Sequence, residues 1–205
     1  MQRRAGVHGL TLAGALVLAV GSAKAPTQAD PQQTLTAAPA AQKERDGSHD
    51  FDWDIGTWKT HQRRLLHPLT GSTTWVEYEG TDVVRRIWDG ANVGEVRADG
   101  PAGHLEILTL RLYDPETHEW SIYFTHRGGG ALGVPAIGTF SNARGDFYDQ
   151  ENYNGRTILL RFSVWDITAG SCRFEQAFSA DGGRTWEVNF SVTETLMNAP
   201  RSESH

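Results

Sequence analysis

From residue 56 onward, apolar and polar side chains alternate along the chain in short runs. In residues 119–127, for example, Trp120, Ile122 and Phe124 occupy every second position. A period of two is typical of β-strands, in which successive side chains point to opposite faces of a sheet. No stretch of useful length after residue 50 shows the period of an amphipathic helix, so the pattern predicts an all-β protein.

About ten strand-like segments follow one another, and residues that favour turns separate them. Asp114-Pro115-Glu116-Thr117 places proline at the second position of a β-turn. Asn154-Gly155 is a two-residue hairpin signal, and Asp89-Gly90 is expected to form a bulge or a turn within the third segment. The predicted strands are residues 58–66, 73–85, 87–96, 104–113, 119–127, 137–140, 147–153, 157–165, 172–178 and 186–196.

Ten short antiparallel strands either close into a barrel or leave exposed edges. Closure pairs every strand on both sides, so we predict a single up-and-down antiparallel β-barrel of about ten strands over residues 49–197. A barrel of about eight to ten strands is just wide enough to hold a small ligand.

The two ends of the chain have a different character from the barrel segment. Residues 1–25 have the features of a signal peptide: Arg3 and Arg4, an apolar run over residues 10–20, and Ala23-Lys24-Ala25 as a cleavage pattern. Residues 26–48 and 198–205 are polar and lack periodicity, which predicts a disordered linker and tail. We therefore expect a secreted or periplasmic protein cleaved near Ala25, with a retained N-terminal anchor as the alternative.

Charge and cysteine content narrow the classes of partner. Cleavage near Ala25 would remove Arg3, Arg4 and Lys24 and no acid, so the net charge would fall from −6 to −9. An acidic protein is a poor candidate for binding nucleic acid or an anionic membrane surface. The apolar run is too short for a permanent membrane span. The single cysteine, Cys172, excludes an internal disulfide and is expected to lie half-buried on a strand.

The opening of the barrel segment resembles a known family pattern. Gly56-Thr57-Trp58 resembles the G-x-W motif of lipocalin and calycin barrels. Together with residues 112–123 and 178–186, the opening is similar to a bacterial calycin-like family of unassigned function, the DUF1579-like group. The resemblance implies that Trp58 closes one end of the barrel, usually against an arginine from a late strand. The late segment Thr193-Glu194-Thr195-Leu196 departs from this pattern because it has no arginine.

A second motif lies between the last two predicted strands. Residues 179–186 match the Asp-box pattern S-x-D-x-G-x-T-W of sialidase-like propellers. The motif occurs once, whereas a propeller would repeat it in every blade, so a structural hairpin is favoured over a glycosidase. In that hairpin Asp181 accepts backbone N–H groups and Trp186 packs beneath the turn.

Alternation leaves open which strand faces line the interior. One set of faces is apolar and includes Leu108, Leu110, Leu112, Ile158, Leu160, Phe162, Val164, Phe174 and Phe178. The opposite set carries arginines, tyrosines and acids, which is ordinary for a solvated surface. The alternative is that Arg111, Tyr123, Glu151, Arg161 and Glu175 point inward and pair around a polar ligand, because arginine forms bidentate pairs with carboxylates.

This alternative defines the candidate site. Its catalytic candidates are Glu151, Glu175 and Tyr123, since a buried acid with a shifted pKa can transfer a proton. The predicted ligand-binding residues are Trp58, Arg111, Tyr123, Arg127, Glu151, Arg161, Glu175 and Trp186.

Histidine spacing favours neither a metal site nor a cofactor. The chain contains no H-x-H or H-E-x-x-H motif, and the acidic residues around His49 lack the spacing of a calcium loop. We therefore expect no metal and no cofactor. Haem binding through His126 or His61, as in haem-binding calycin-like barrels, is a further alternative.

Besides haem binding, three functions remain open at this point. The first is an exported barrel that binds a small, partly polar molecule in its interior. The second is a cofactor-free isomerase, lyase or hydrolase that uses a buried Glu, Arg and Tyr set. The third is a packed structural module with an exposed aromatic patch. A homodimer is compatible with each of them.

Overall fold

The computed structural model describes residues 46–198. The predicted signal peptide, its cleavage site near Ala25, nearly all of the predicted linker and the tail beyond residue 198 lie outside these residues. A 3₁₀ turn, Asp52–Asp54, precedes the first strand. The strands are β1 Gly56–Leu65, β2 Trp75–Trp88, β3 Ala91–Gly100, β4 Gly103–Asp114, β5 Glu119–His126, β6 Ala136–Ser141, β7 Arg144–Tyr153, β8 Arg156–Trp165, β9 Ser171–Ser179 and β10 Glu187–Asn198.

The ten strands form one closed antiparallel barrel. Each strand pairs with its neighbours in sequence, and β1 pairs with β10 to complete the ring. The prediction of a single up-and-down barrel of about ten strands is confirmed. Closure leaves no strand of the described chain with an unpaired edge, which is the physical advantage on which that prediction rested.

One predicted boundary is wrong. The sequence placed a break at residue 86 and a bulge or turn at Asp89-Gly90 inside the third strand. In the structure β2 continues to Trp88, and Arg86 still pairs with Asn92 across the hairpin. Gly90 has φ of +78°, so Asp89-Gly90 forms the turn itself and the strand changes there.

An N-terminal segment, residues 46–55, closes one end of the barrel. Phe51 is fully buried, and its ring packs edge-on against Trp120 and Phe140 at centroid distances of 5.0 and 4.8 Å. The Trp58 indole N–H donates to the Asp54 carbonyl oxygen at 2.7 Å. Gly47 accepts a hydrogen bond from the Trp120 indole at 3.0 Å. We call this the closed end; the loops after β1, β3, β5, β7 and β9 form the open end.

The interior has an apolar half and a polar half. The apolar half is made by β5 to β9, and its buried members include Trp120, Ile122, Phe147, Ile158, Leu160, Val164, Phe174 and Phe178. On β10 and β1 to β4 the buried inward side chains are largely polar, among them Thr60, Gln62, Asp82, Asn92, Thr109, Arg111 and Glu194. The buried side chains of the two halves show which face of each strand points into the barrel.

The interpretation of the β4 leucines as core residues is wrong. Leu108, Leu110 and Leu112 lie on the outward face, and Leu108 is 39% exposed. Thr109 and Arg111, on the opposite face, are buried instead. The reason is that Arg111 finds an acid and an amide inside the barrel, which compensates the burial of its charge.

Gly138 on β6 marks a close approach between β6 and β7. A Cβ atom at this position would lie 2.0 Å from the Asp146 carbonyl oxygen, so Gly138→Ala should force the two backbones apart. We expect the free energy of unfolding to fall by about 1–3 kcal/mol, measured by denaturant unfolding. Gly170→Ala is the matched control, because a Cβ atom at residue 170 would meet open space, with no atom beyond its chain neighbours within 4 Å. Equal stability of the two variants would contradict the close approach.

Candidate functional site

Four charged side chains meet inside the barrel near the closed end. Asp54 ends the 3₁₀ turn, Asp82 lies on β2, Arg111 on β4 and Glu194 on β10, and all four are buried. Arg111 Nη1 lies 2.6 Å from Asp54 Oδ2 and donates to Asn92 Oδ1 at 3.0 Å. We call Asp54, Asp82, Arg111 and Glu194 the polar cluster.

The polar cluster contains three carboxyl groups and one guanidinium. Burial raises the pKa of Asp54, although Arg111 opposes the shift. Burial, with repulsion from Asp54, raises the pKa of Asp82 to about 7 and that of Glu194 well above its ordinary value. One cation cannot neutralise three buried anions, so protonation of the acids is favoured in the free protein.

Several buried polar atoms in this half of the barrel have no hydrogen-bond partner within residues 46–198. They are Gln62 Oε1, Asp54 Oδ1, Asp82 Oδ1, Thr109 Oγ1 and Arg111 Nε. The Arg111–Asp54 contact is an ion pair through Oδ2 and leaves Asp54 Oδ1 unpaired. A buried polar group without a partner costs about 1–3 kcal/mol, so this surface is suited to a ligand that supplies partners.

Gly94 on β3 leaves room for two of these polar residues, Thr109 and Asp82. A Cβ atom at residue 94 would lie 2.6 Å from Thr109 Oγ1 and 3.3 Å from Asp82 Oδ1. Any side chain at this position would therefore displace both polar groups. The glycine is the local reason why Thr109 and Asp82 approach one another across β2, β3 and β4.

A pocket of about 420 Å³ lies at the rim of the open end. Its lining residues are Leu69, Gly71, Arg156, Phe178, Ala180, Asp181, Thr185, Trp186 and Glu187. Trp186 is held by a hydrogen bond from its indole N–H to the Gly183 carbonyl oxygen at 3.0 Å, and the Arg161 guanidinium lies 4.8 Å from its ring centroid. The volume lies in the range of small-molecule sites.

The Asp-box segment builds one wall of this pocket. Asp181 accepts hydrogen bonds from the Thr185 backbone N–H at 2.9 Å, the Thr185 hydroxyl at 2.7 Å and the Ser179 hydroxyl at 2.8 Å. These bonds lower the pKa of Asp181 to about 2. The motif thus serves as a loop that positions Trp186.

Two acids lie on the inward face of β7 toward the open end. Burial, with repulsion from Glu151, raises the pKa of Asp149 to about 7, and burial also raises the pKa of Glu151. The folded protein therefore keeps a proton on Asp149 at pH values where the unfolded chain, with an ordinary pKa of 3.8, has lost it. This difference stabilises the folded state at low pH, and the stabilisation is lost as the pH rises from about 4 to about 7.

Asp149→Asn should flatten this pH dependence. We expect the melting temperature of the wild type to fall between pH 5 and pH 8 by more than that of Asp149→Asn, because the amide needs no proton to remain neutral. The measurement is thermal unfolding across that pH range. Asp89→Asn, on the exposed β2–β3 turn, should follow the wild type. Parallel curves for Asp149→Asn and the wild type would contradict the buried acid.

The structure brings Arg161 and Trp186 into contact but does not unite the predicted site residues in one set. Trp58, Arg111 and Glu151 lie on inward faces, but Arg111 is near the closed end and Glu151 lies three residues before the Asn154-Gly155 turn of the open end. Tyr123 and Arg161 lie on outward faces, as do their cross-strand partners Leu110 and Tyr148, of which Tyr148 is 48% exposed. The hypothesis that these side chains share one inward-facing set therefore needs correction: register separates them.

The remaining predicted residues lie at the surface. Arg127 follows β5 and donates to Glu106 Oε2 at 2.7 Å. Glu175 lies on the outward face of β9, where it lines a shallow groove of about 210 Å³ with His61 and Arg63. Trp186 lines the rim pocket. Whether any of them contacts a ligand stays a prediction.

The residues that sequence reasoning missed are Asp54 and Asp82, with Gln62, Thr109 and Glu194. Glu194 occupies the late-strand segment where the resemblance led us to expect an arginine. In its place Arg111 reaches the closed end from β4, with its guanidinium 4.8 Å from the Phe51 ring centroid. Trp58 is buried beside this arrangement through its bond to Asp54. The absence of an arginine from residues 193–196 was the available signal that another strand supplies the cation at the closed end.

The two histidines proposed as haem ligands, His61 and His126, lie outside the barrel interior. His61 is on the outward face and contacts Glu79 Oε1 at 2.7 Å, and exposed His126 contacts the Arg127 carbonyl oxygen at 3.0 Å. The His49 cluster is divided: Asp52 pairs with Arg86 at 2.8 Å outside, while Asp54 points inside. Among the described residues, Asp54, Cys172 and Glu194 are the group whose ligand atoms are close enough to share a metal ion.

Comparison with known proteins supports the fold without assigning a family. No family model matches the chain, and no curated protein does. The chain is similar in structure to an S-type phycobiliprotein lyase, CPES, from Guillardia theta, with a TM-score of 0.50 and 9% identity over 77% of this chain and 96% of that one. This likeness shows the fold alone, which in this chain is a closed ten-stranded barrel. The resemblance to the DUF1579-like group is not confirmed, because no family model matches.

A second solved structure, EF1p2_mFAP2b bound to DFHBI, matches with a TM-score of 0.41 and 8% identity over 74% of this chain and 99% of that chain. Within residues 46–198, no helix has the length and apolar character needed to cross a membrane.

Proposed function

We propose that the barrel binds a small, partly polar molecule in its interior, with the polar part of the molecule against the polar cluster. The observation that carries this proposal is the set of buried, unpaired polar atoms on β1, β2 and β4, including Gln62 Oε1, Asp82 Oδ1 and Thr109 Oγ1. A ligand that pairs with them recovers the free energy that their burial costs.

The two halves of the barrel suit different parts of such a molecule. Aromatic side chains from β5 to β9, among them Phe124, Phe162 and Phe174, form an apolar wall opposite the polar residues. Binding sites for small molecules combine such apolar walls with a few placed polar groups. The rim pocket at the open end, with Trp186, is the proposed entrance.

Thr109→Val tests the proposal, because it removes one unpaired hydroxyl without changing the shape of the side chain. Native mass spectrometry of the protein purified from its expression host should show a co-purifying small molecule. We expect Thr109→Val to bind this molecule about 5- to 150-fold more weakly and to show a lower occupied fraction, since an unpaired ligand group costs about 1–3 kcal/mol.

The stability of the free variant separates lost binding from lost folding. Thr109→Val should unfold at the same or a higher temperature than the wild type, because it removes a buried hydroxyl that has no partner. Thr139→Val, on the exposed face of β6, is the matched control and should keep the ligand. Two negative results together would refute the proposal: no co-purifying molecule, and no rise in melting temperature with a panel of small alcohols, amines and carboxylic acids.

Proton transfer on the bound molecule is the second candidate function, as a cofactor-free isomerase, lyase or hydrolase. Asp82 favours it, because a buried acid with a pKa of about 7 beside Thr109 suits general acid–base catalysis. Turnover of any identified ligand should be abolished in Asp82→Asn while binding persists. Turnover that survives both Asp82→Asn and Glu151→Gln would exclude this reading.

Export remains part of the proposed function and rests on the N-terminal sequence. Arg3 and Arg4, the apolar run and Ala23-Lys24-Ala25 support a secreted or periplasmic location. N-terminal sequencing of the mature protein should find a start near residue 26. A mature protein that begins at Met1 and stays inside the cell would contradict export.

A further inference from the structure

We propose that Asp54, Cys172 and Glu194 form a binding site for one divalent transition-metal ion, with Zn²⁺ as the best chemical match. One ligand atom from each of the three residues lies within 4.8 Å of the other two, and all three side chains are buried. The site lies at the closed end of the barrel. It shares Asp54 and Glu194 with the polar cluster, and its test does not require the small molecule proposed above.

The fold brings these residues together from three separate elements. Cys172 on β9 and Glu194 on β10 are direct partners in the strand register, and the Cys172 thiol donates to Glu194 Oε2 at 3.6 Å. Asp54 enters from the 3₁₀ turn, which Trp58 holds through its bond to the Asp54 carbonyl oxygen. Two strands and a turn thus place the three side chains together in the interior, unlike acids that happen to be neighbours on a surface.

An unpaired atom in the same place points to a missing partner. Asp54 is fully buried, and its Oδ1 has no hydrogen-bond partner within the described chain. Its Oδ2 lies 2.6 Å from Arg111 Nη1. The carboxylate can therefore keep Arg111 on one oxygen and offer the other to a metal ion, as ligating carboxylates do when an outer residue orients them.

The charge of the polar cluster also favours an added cation. The polar cluster contains three carboxyl groups and one guanidinium, that of Arg111. A divalent ion would offset the charge of the carboxylates that bind it. Metal ligands bind in their deprotonated form, so metal binding and proton release are linked.

The ligand set selects the type of metal. A thiolate is a soft ligand that Zn²⁺ and similar transition metals accept, whereas Ca²⁺ and Mg²⁺ require oxygen ligands. Zn²⁺ binds cysteine and carboxylate in tetrahedral sites, and a site with three protein ligands leaves the fourth position open. Because cysteine binds a metal ion as the thiolate, the apparent affinity should rise with pH.

A titration with Co²⁺ tests the site directly. Cys172 is the single cysteine of the chain, so a near-ultraviolet thiolate-to-cobalt charge-transfer band can arise from this site alone. We expect the metal-free full-length protein to develop this band at pH 8 and to lose it when one equivalent of Zn²⁺ is added. No band in the wild type would overturn the proposal without reference to any variant.

Two variants separate the site from other metal binding by the histidines. Cys172→Ser should abolish the band, and Glu194→Gln should weaken Zn²⁺ binding by at least about tenfold in calorimetry. Glu175→Gln, on the outward face of β9, should bind as the wild type does. Unchanged Zn²⁺ affinity in a folded Glu194→Gln protein would refute the assignment. If that variant fails to fold, Asp54→Asn supplies the same comparison.

Discussion

Arg111→Met should lower the free energy of unfolding by about 3–5 kcal/mol at pH 8, the range found when one partner of a buried ion pair is removed. Methionine fills much of the same volume, so the loss would come mainly from charge. Asp54, whose Oδ2 lies 2.6 Å from Arg111 Nη1, would lose its cation inside the barrel. Asn92 would lose a hydrogen-bond donor as well.

The loss should be smaller at pH 5 than at pH 8. Without Arg111, the pKa values of Asp54, Asp82 and Glu194 would rise further, because in the wild type the guanidinium opposes the effect of burial on each of them. The folded variant must then keep protons that the unfolded chain releases above about pH 4, and this cost grows with pH.

Denaturant unfolding of both proteins at pH 5 and pH 8 measures the effect. Arg173→Met is the control, since Arg173 is exposed and its ion pair with Asp166 spans 3.3 Å at the surface. That variant should differ from the wild type by less than about 0.5 kcal/mol. An Arg111→Met protein as stable as Arg173→Met at pH 8 would show that the three acids do not depend on the guanidinium.

Much of the fold could be predicted because its signals are local. Alternation identified the strands, and Asn154-Gly155 and Asp114-Pro115 marked two of the turns. Closure followed from the physical cost of unpaired edges. The break after Arg85 was wrong because a strand can continue past a short polar stretch when its partner, here β3, supplies the hydrogen bonds.

The direction in which each face points could not be predicted from alternation alone. β4 offers a leucine face and a mixed face, and hydrophobicity favours burial of the leucines. The outcome was decided by Asp54, which lies far from Arg111 in the sequence, and by Asn92, the partner of Arg111 on the neighbouring strand β3. A long-range ion pair leaves no mark on local periodicity, so Arg111 was found by residue type and its partners were missed.

The candidate site was predicted only in part, because its residues also depend on the direction in which each strand face points. Arg111 and Glu151 do face inward, but Arg161 and Glu175 belong to strand positions whose neighbours are outward-facing. Asp82 and Thr109 became significant through Gly94, which lets them approach across the sheet. This approach depends on how β2, β3 and β4 are aligned with one another. The alternation of side chains along one strand does not reveal that alignment.

Phe51→Ala should lower the free energy of unfolding by about 3–5 kcal/mol, the cost of truncating a fully buried aromatic side chain. Phe51 lies before the first strand, near the start of the predicted barrel segment 49–197. Its ring nevertheless contacts Trp120, Phe140 and Phe147, and the Arg111 guanidinium lies over its face. Truncation would leave a cavity among these rings.

Denaturant unfolding and tryptophan fluorescence measure this change. The emission of the variant should shift to longer wavelength, because Trp120, which packs edge-on against Phe51, would gain contact with water. Trp88→Ala is the control: that side chain is 61% exposed, and its loss should cost less than about 1 kcal/mol.

A small loss in Phe51→Ala would have a specific meaning. If the variant unfolds within about 1 kcal/mol of the wild type, residues 46–55 are not part of the cooperative unit of the barrel. Asp54 would then be free to leave the polar cluster, and Arg111 would need another partner. A loss in the expected range, in contrast, means that one aromatic ring holds the turn that places Asp54 beside Arg111, and that the stability of the closed end and the geometry of the polar cluster depend on the same contact.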